Sequence, residues 1–281
     1  MEPAAIIMVL TAAVMHAIWN ALVKVDEDRL MTMAVVISST GLLAPLLLLI
    51  GPAPAPESWP FIVLSALLNN AYFLFLIEAY RFGDLSHVYP IARGSAPLLV
   101  AVGAAWFAGE HLSAVELTGV IVISGGIISL VWGSGFKLGA ESRAVIFALL
   151  TGLMIAAYTI VDGIGVRLSG NPAGYIGWLF ILSPLPIIFI ALARRRRQAF
   201  VYLNNNWRPA VLGGGLNFGS YGLAIWALNL GTMAHVSALR ETSVLIAAVM
   251  GARLLHEPFG RQRVLAAVAV ALGVVLIAVQ T

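Results

Sequence analysis

LNNAYFLFLIEAYRFGDLSHV, residues 68–88, and LNFGSYGLAIWALNLGTMAHV, residues 216–236, are the same sentence written twice. Leu68-Asn69, Ala79, Gly83 and His87-Val88 recur as Leu216-Asn217, Ala227, Gly231 and His235-Val236, each displaced by 148. After one deletion the displacement becomes 147, and it then sets Arg93 on Arg240, Glu110 on Glu257 and Gly126 on Gly273. The chain is an internal duplication. Its fold depends on what one copy is.

Composition says that each copy lies in a membrane. Sixty per cent of the 281 residues are hydrophobic and 10% are charged. Mean hydropathy is +0.96. Soluble domains carry about 25% charged residues, so no sizeable soluble domain fits here. A hydrocarbon core of about 30 Å needs about 20 apolar residues per helix. That ruler gives ten spans, roughly Ala4–Lys24, Leu30–Ile50, Trp59–Tyr80, Leu85–Phe107, Ala114–Trp132, Arg143–Ile164, Ala173–Ala193, Trp207–Leu228, Met233–Leu255 and Val264–Gln280. Asp26-Glu27-Asp28-Arg29, the proline run at 52–56, and Arg194–Arg197 with Asn204–Asn206 mark the breaks. Apolar runs are continuous, without period-2 alternation, which favours helices over a barrel.

Five spans per copy has a consequence. A duplicated odd-span unit enters the bilayer upside down relative to its twin. The expected fold is all-α, with two inverted five-helix repeats over 1–137 and 138–281. Inverted repeats are a common plan of secondary transporters, with the binding site where the repeats meet.

Lys and Arg set the orientation. Odd-numbered loops hold Lys24, Arg29, Arg81, Lys137, Arg143, Arg194, Arg195, Arg196, Arg197, Arg208, Arg253, Arg261 and Arg263, whereas even-numbered loops hold only Arg167. Odd loops are therefore expected in the cytoplasm and both chain ends outside it. The first apolar stretch reads as a retained helix, because Met1-Glu2-Pro3 offers no basic leader.

Ionisable residues inside spans are costly and mark function by default. Arg93 and Arg240 lie eight or nine residues into the fourth and ninth spans, roughly 12 Å deep at 1.5 Å per residue. A guanidinium fork matches carboxylate or phosphate, so the pair is a candidate anion clamp. The alternative is a structural pairing of each arginine with Glu78, Asp162 or Glu241. His16, Trp19, Asn20 and Lys24 form a polar stripe at i, i+3, i+4 and i+8 on the first span. Tyr158 is the counterpart of Trp19 at a displacement of 139, with Asp162 one turn on. Asn69 with Phe73, and Asn217 with Tyr221, are candidate walls of a binding site. His87, His235 and Asp162 are candidates for coupling or gating, as are Glu78 and Glu241. Glu110 and Glu257 read as helix-start or loop anchors.

Other chemistry is absent from the sequence. There is no Cys, hence no thiol nucleophile or thiolate metal site. Gly213-Gly214-Gly215 has no following Lys and no preceding strand, so it is not a phosphate loop. No enzyme activity, cofactor or metal is expected. The net charge of +3 sits in short loops and does not indicate nucleic acid. Membrane lipids and a small-molecule substrate are the expected partners, with the protein a monomer or weak homo-oligomer.

The duplicated unit resembles the EamA domain of the drug/metabolite transporter superfamily. The marks are His16-Ala17-Ile18-Trp19-Asn20-Ala21-Leu22-Val23-Lys24, and the two stretches in which Glu110 or Glu257 precedes a span carrying Gly126 or Gly273. The resemblance implies transport. It leaves substrates open among amino acids, sugars, phosphorylated metabolites, nucleotide sugars and cationic drugs. It also implies chain ends in the cytoplasm, opposite to the charge count. The expected function is alternating-access transport of an organic anion or zwitterion such as an amino acid, or of a phosphorylated or phosphonate compound, across a bacterial plasma (inner) membrane. A translocase for lipid or lipid-linked headgroups and a cationic-drug exporter are the alternatives.

Overall fold

The computed structural model describes residues 2–24, 29–83, 85–134, 142–254 and 261–279. Every extended element among them is helical, and none is a strand. The helices are α1 Pro3–Lys24, α2 Arg29–Ile50, α3 Trp59–Phe82, α4 Leu85–Ala108, α5 Ala114–Ile128, α6 Ser142–Leu168, α7 Pro172–Leu182, α8 Pro184–Leu230, α9 Met233–Arg240, α10 Thr242–Leu254 and α11 Arg261–Val279. Eight stretches are long and apolar enough to cross a membrane, and Val35–Ile50 adds a shorter apolar one. Glu257, and the ends of the ninth and tenth expected spans at Leu255 and Gln280, fall outside the described residues.

Local chemistry sets the helix ends. Ser113 accepts from the Glu116 N–H, while Glu116 reaches back to the Ser113 N–H at 2.6 Å, a reciprocal capping box for α5. Asn171 caps α7 ahead of Pro172. Gly109 and Gly170 take φ of +65° and +66°, a left-handed turn that favours glycine.

One expectation is corrected: the ninth span, expected to be continuous, breaks at Glu241 into α9 and α10. The polar stretch Arg194–Asn206 does lie between two membrane-crossing stretches, Pro172–Phe189 and Val211–Leu230, although α8 is helical from Pro184 to Leu230. Those 47 residues are not one rod, since a straight helix of that length would span about 70 Å. Gly41 packs on Pro184 while Gly214 packs on Ser39, two residues away along α2. The Phe180 and Phe218 rings lie 5.2 Å apart. The chain therefore doubles back between Phe189 and Val211, and both limbs lie against α2.

The two halves of the sequence are interleaved. α3 and α4 pack on α6, α1 and α2 on α8, and α5 on α11. The α5–α11 contact is close because Gly119 and Gly273 meet backbone to backbone. Tyr175, Leu179, Phe180, Ile225, Leu228 and Met233 form the main core. Trp106, Phe107 and Leu49 are among the large apolar side chains left on the outside, as a lipid-facing surface requires. The connections after α2, α4, α6 and α8 gather on one face. There the Ala55 N–H donates to the Ser169 carbonyl at 3.0 Å, and Arg167 reaches both Glu110 and Gly231.

Candidate substrate site

Arg93 sits in the middle of α4, between Pro90 and Pro97, and is 3% exposed. Its Nε donates to Glu241 Oε2 at 2.9 Å, and its Nη2 lies 3.4 Å from Ser243 Oγ. Glu241 occupies the turn between α9 and α10, with its N–H bonded three residues back to Ala238 at 3.1 Å. The helix opens where the buried ion pair forms. Glu241 is thus the partner of Arg93 among the three acids considered from sequence, and Arg93 is not a free arm of a clamp.

Arg240 differs. It is 8% exposed, and its guanidinium carbon stands 5.8 Å from the centre of the Tyr221 ring. Among the described residues no carboxylate lies at ion-pair distance from it. Tyr221 links it to a polar cluster. The Tyr221 hydroxyl donates to Asp162 Oδ2 at 2.5 Å and accepts from Asn69 Nδ2 at 2.9 Å. The Tyr175 hydroxyl donates to the other Asp162 oxygen at 3.0 Å. Ser65 Oγ lies beside it, accepting from Asn69 Nδ2 at 3.3 Å. Asp162 is fully buried and held by neutral hydroxyls rather than by an arginine.

Aromatic rings wall this centre. Tyr158 meets Tyr72 edge-on at 6.1 Å and Tyr221 edge-on at 5.9 Å. Phe73 lies beside Tyr72 at 4.9 Å. Trp19 is 5% exposed, with its indole N–H lacking a partner, and it meets His16 edge-on at 5.3 Å. His16 lies within the field of both Arg93 and Arg240. Asn20 turns back on its own helix, donating to the His16 carbonyl at 2.8 Å. Asn217 is half-buried on α8, and His87 is buried near the start of α4. Spacing along single helices did not single out Ser65, Tyr72, Tyr89, Tyr175 or Ser243. Tyr72 sits three residues after Asn69, and Tyr89 four before Arg93, which is the only linear signal they carry.

One placement departs from expectation. Glu78, taken as a mid-span acid, makes a partly exposed pair with Arg81 at 2.9 Å near the end of α3. His235 is buried at the start of α9, with Nε2 3.1 Å from Glu116 Oε1. Beside it, the Met233 N–H donates to Glu110 Oε2 at 2.8 Å, and Arg167 Nη2 pairs with Glu110 Oε1 at 2.7 Å. Arg167 also donates to the Leu228 carbonyl at 3.0 Å and the Gly231 carbonyl at 2.7 Å. Glu110, read as an anchor, does anchor: it binds the start of α9 to the end of α6. Among the described residues no cluster of three His, Asp or Glu stands close enough to hold a metal.

A family model described as the EamA-like transporter family matches residues 3–132 and again 142–279. A solved crystal structure, described only as that of a protein, is similar over 100% of this chain and 98% of its own, with a TM-score of 0.78 and 13% identity. At that identity the likeness concerns the fold alone. No curated protein matches.

Proposed function

The chain belongs to the EamA-like transporter family, and we propose that it is a secondary transporter moving a small organic anion or zwitterion by alternating access. In this reading ten spans form two inverted repeats, 1–137 and 138–281, and the substrate binds between them. Amino acids are the first substrate class to test, and phosphorylated or phosphonate metabolites the second. The setting is a bacterial plasma membrane.

The observation that carries the reading is Arg240. A buried cation without a carboxylate is expensive in lipid. Its repeat mate Arg93 is paired with Glu241, whereas Arg240 faces the Tyr221 ring, with no carboxylate at ion-pair distance among the described residues. An unpaired guanidinium at mid-depth, walled by tyrosines, suits the acidic group of a transient ligand. Trp19 presents a second unpartnered donor in the same region. The Glu110–Arg167–Met233 cluster ties the even-numbered loops together, which supports reading this conformation as closed on that face.

Arg240 is tested by substitution in proteoliposomes supplied with a panel of labelled amino acids. Arg240→Gln is expected to lower uptake at least about 30-fold, from the roughly 2–5 kcal/mol lost when one partner of a buried charge pair is removed. Arg240→Lys keeps the charge but loses the fork, and it too is expected to be impaired. Thermal stability without ligand should hold or rise, because no internal ion pair is broken. Wild-type uptake by Arg240→Gln, or a large loss of stability with it, would mean that the arginine is structural.

A further inference from the structure

The two arginines are equivalent by repeat, but the acid is not. The residue displaced by 147 from Glu241 is Gly94. A Cβ at Gly94 would lie 2.6 Å from Ile128 Cγ1 and 3.0 Å from the Ser124 carbonyl oxygen. α4 packs too closely there on the end of α5 for any side chain. The second repeat instead breaks its helix at the matching point and places a carboxylate in the centre. Packing thus fixes a lopsided site: two guanidiniums, and one tethered carboxylate whose hydrogen bond and ion pair go to Arg93. Asp162 does not even the balance by contact, since the Tyr175 and Tyr221 hydroxyls hold its carboxyl group.

We propose that Glu241 is the charge selector of the site. By holding Arg93 it leaves Arg240 as the single docking point for an acidic group, so the protein takes substrates with one acidic group and turns away those with two. The inference rests on the transport reading above and names its substrate class. A second acidic group on the ligand would lie buried beside the Glu241 carboxylate with no cation left to meet it. Juxtaposed like charges in a desolvated site are strongly unfavourable. Glu241 is thereby an internal stand-in for the second acid of a dianion, permanently attached.

The test uses the full-length protein in nanodiscs with matched probes: glutamine against glutamate, and butyrate against succinate. Binding is read by thermal shift and by competition. Wild type is expected to prefer the one-acid member of each pair by at least about tenfold. Glu241→Gln should free Arg93 and move that ratio toward the two-acid member by about 100-fold. It should also lower ligand-free stability, with succinate or glutamate restoring it. If Glu241→Gln does not fold, Arg93→Gln with Glu241→Gln decides, since it removes both charges of the pair. Retained one-acid binding in that double variant supports the inference. Its loss would make Arg93 a docking arm and overturn the inference. One-acid binding by wild type with no gain of two-acid binding in Glu241→Gln overturns the selector alone. If wild type and Glu241→Gln bind none of the probes, the anion reading of Arg240 fails, and the selector fails with it.

Discussion

Arg167→Ala should open the face that carries the even-numbered loops. Arg167 makes three contacts there: an ion pair with Glu110 at 2.7 Å and hydrogen bonds to the carbonyls of Leu228 and Gly231 at 3.0 and 2.7 Å. Hydrogen bonds to charged groups are worth about 1.5 kcal/mol each at the low end, which suits a side chain one-third exposed. The ion pair, partly in water, adds at most about 1 kcal/mol. About 3 kcal/mol thus favours the tied arrangement, and at 1.4 kcal/mol per tenfold its loss shifts closed against open on the order of 100-fold. The chain has no cysteine, so a single thiol reports cleanly. Ala234→Cys places it at the second residue of α9, 1% exposed and next to Met233, whose N–H Glu110 holds. A membrane-impermeant maleimide added from that face should label it far faster when Arg167 is alanine. Glu110→Gln in the same background should act in the same direction, because it weakens the same tie. Labelling that changes by less than about threefold would refute the gate, since a population shift of the size worked out above could not stay hidden.

Two further outcomes are expected. Asp162→Asn should abolish accumulation driven by a pH gradient while leaving substrate exchange, because exchange needs only the loaded carrier to reorient. Proteoliposomes with and without an imposed gradient decide it, and wild-type uptake that ignores the gradient removes Asp162 from coupling. A C-terminal fusion to a reporter active only in the cytoplasm should stay dark, because thirteen basic residues lie in odd loops and only Arg167 in even ones. A bright fusion would mean that the family's usual orientation holds here despite the charges.

The even-loop face bears on that last expectation. Its only basic residue, Arg167, is tied to Glu110 and to two carbonyls, so the face offers no free cationic side chain from that residue. The charge bias is sharper in three dimensions than in the sequence.

The duplication was legible because His87 and His235 recur at 148 residues, and Arg93 and Arg240, like Gly126 and Gly273, at 147. The span lengths were legible because lipid tolerates so few polar residues. The break at Glu241 was not. Ser237, Ala238, Leu239 and Thr242 include no proline or glycine, and the helix opens to let a buried carboxylate reach across to Arg93. The helical course of 194–206 was not legible because its polarity marks a break between spans. Arginine is a good helix former outside lipid, and the reversal there is shown by packing on α2 rather than by composition. The partners of Asp162 were out of reach for another reason. Tyr175 and Tyr221 approach it from α7 and α8, and no spacing along α6 points to either. Sequence could name Glu78, Asp162 and Glu241 as rival partners for the arginines, but only the bundle chooses among them.

In the proposed cycle α9 joins the even-loop cluster to Arg240. It has eight residues, all buried, and is about 12 Å long at 1.5 Å per residue. Its first N–H is held by Glu110, and its third residue, His235, lies 3.1 Å from Glu116. Its last residue is Arg240, and the chain breaks immediately afterwards. It is clasped at its start, and at its end the break at Glu241 separates it from α10. A ligand shifts an equilibrium only by its differential affinity for the two states. In the proposed cycle an acidic group bound at Arg240 exerts that preference directly on α9, and α9 carries it to the Met233 N–H that Glu110 holds. Had α9 and α10 been continuous, the same displacement would have had to drag a further thirteen residues packed against α1. The break at Glu241 therefore serves two ends at once. It brings Glu241 to Arg93 and, in the proposed cycle, separates α9 and Arg240 from α10.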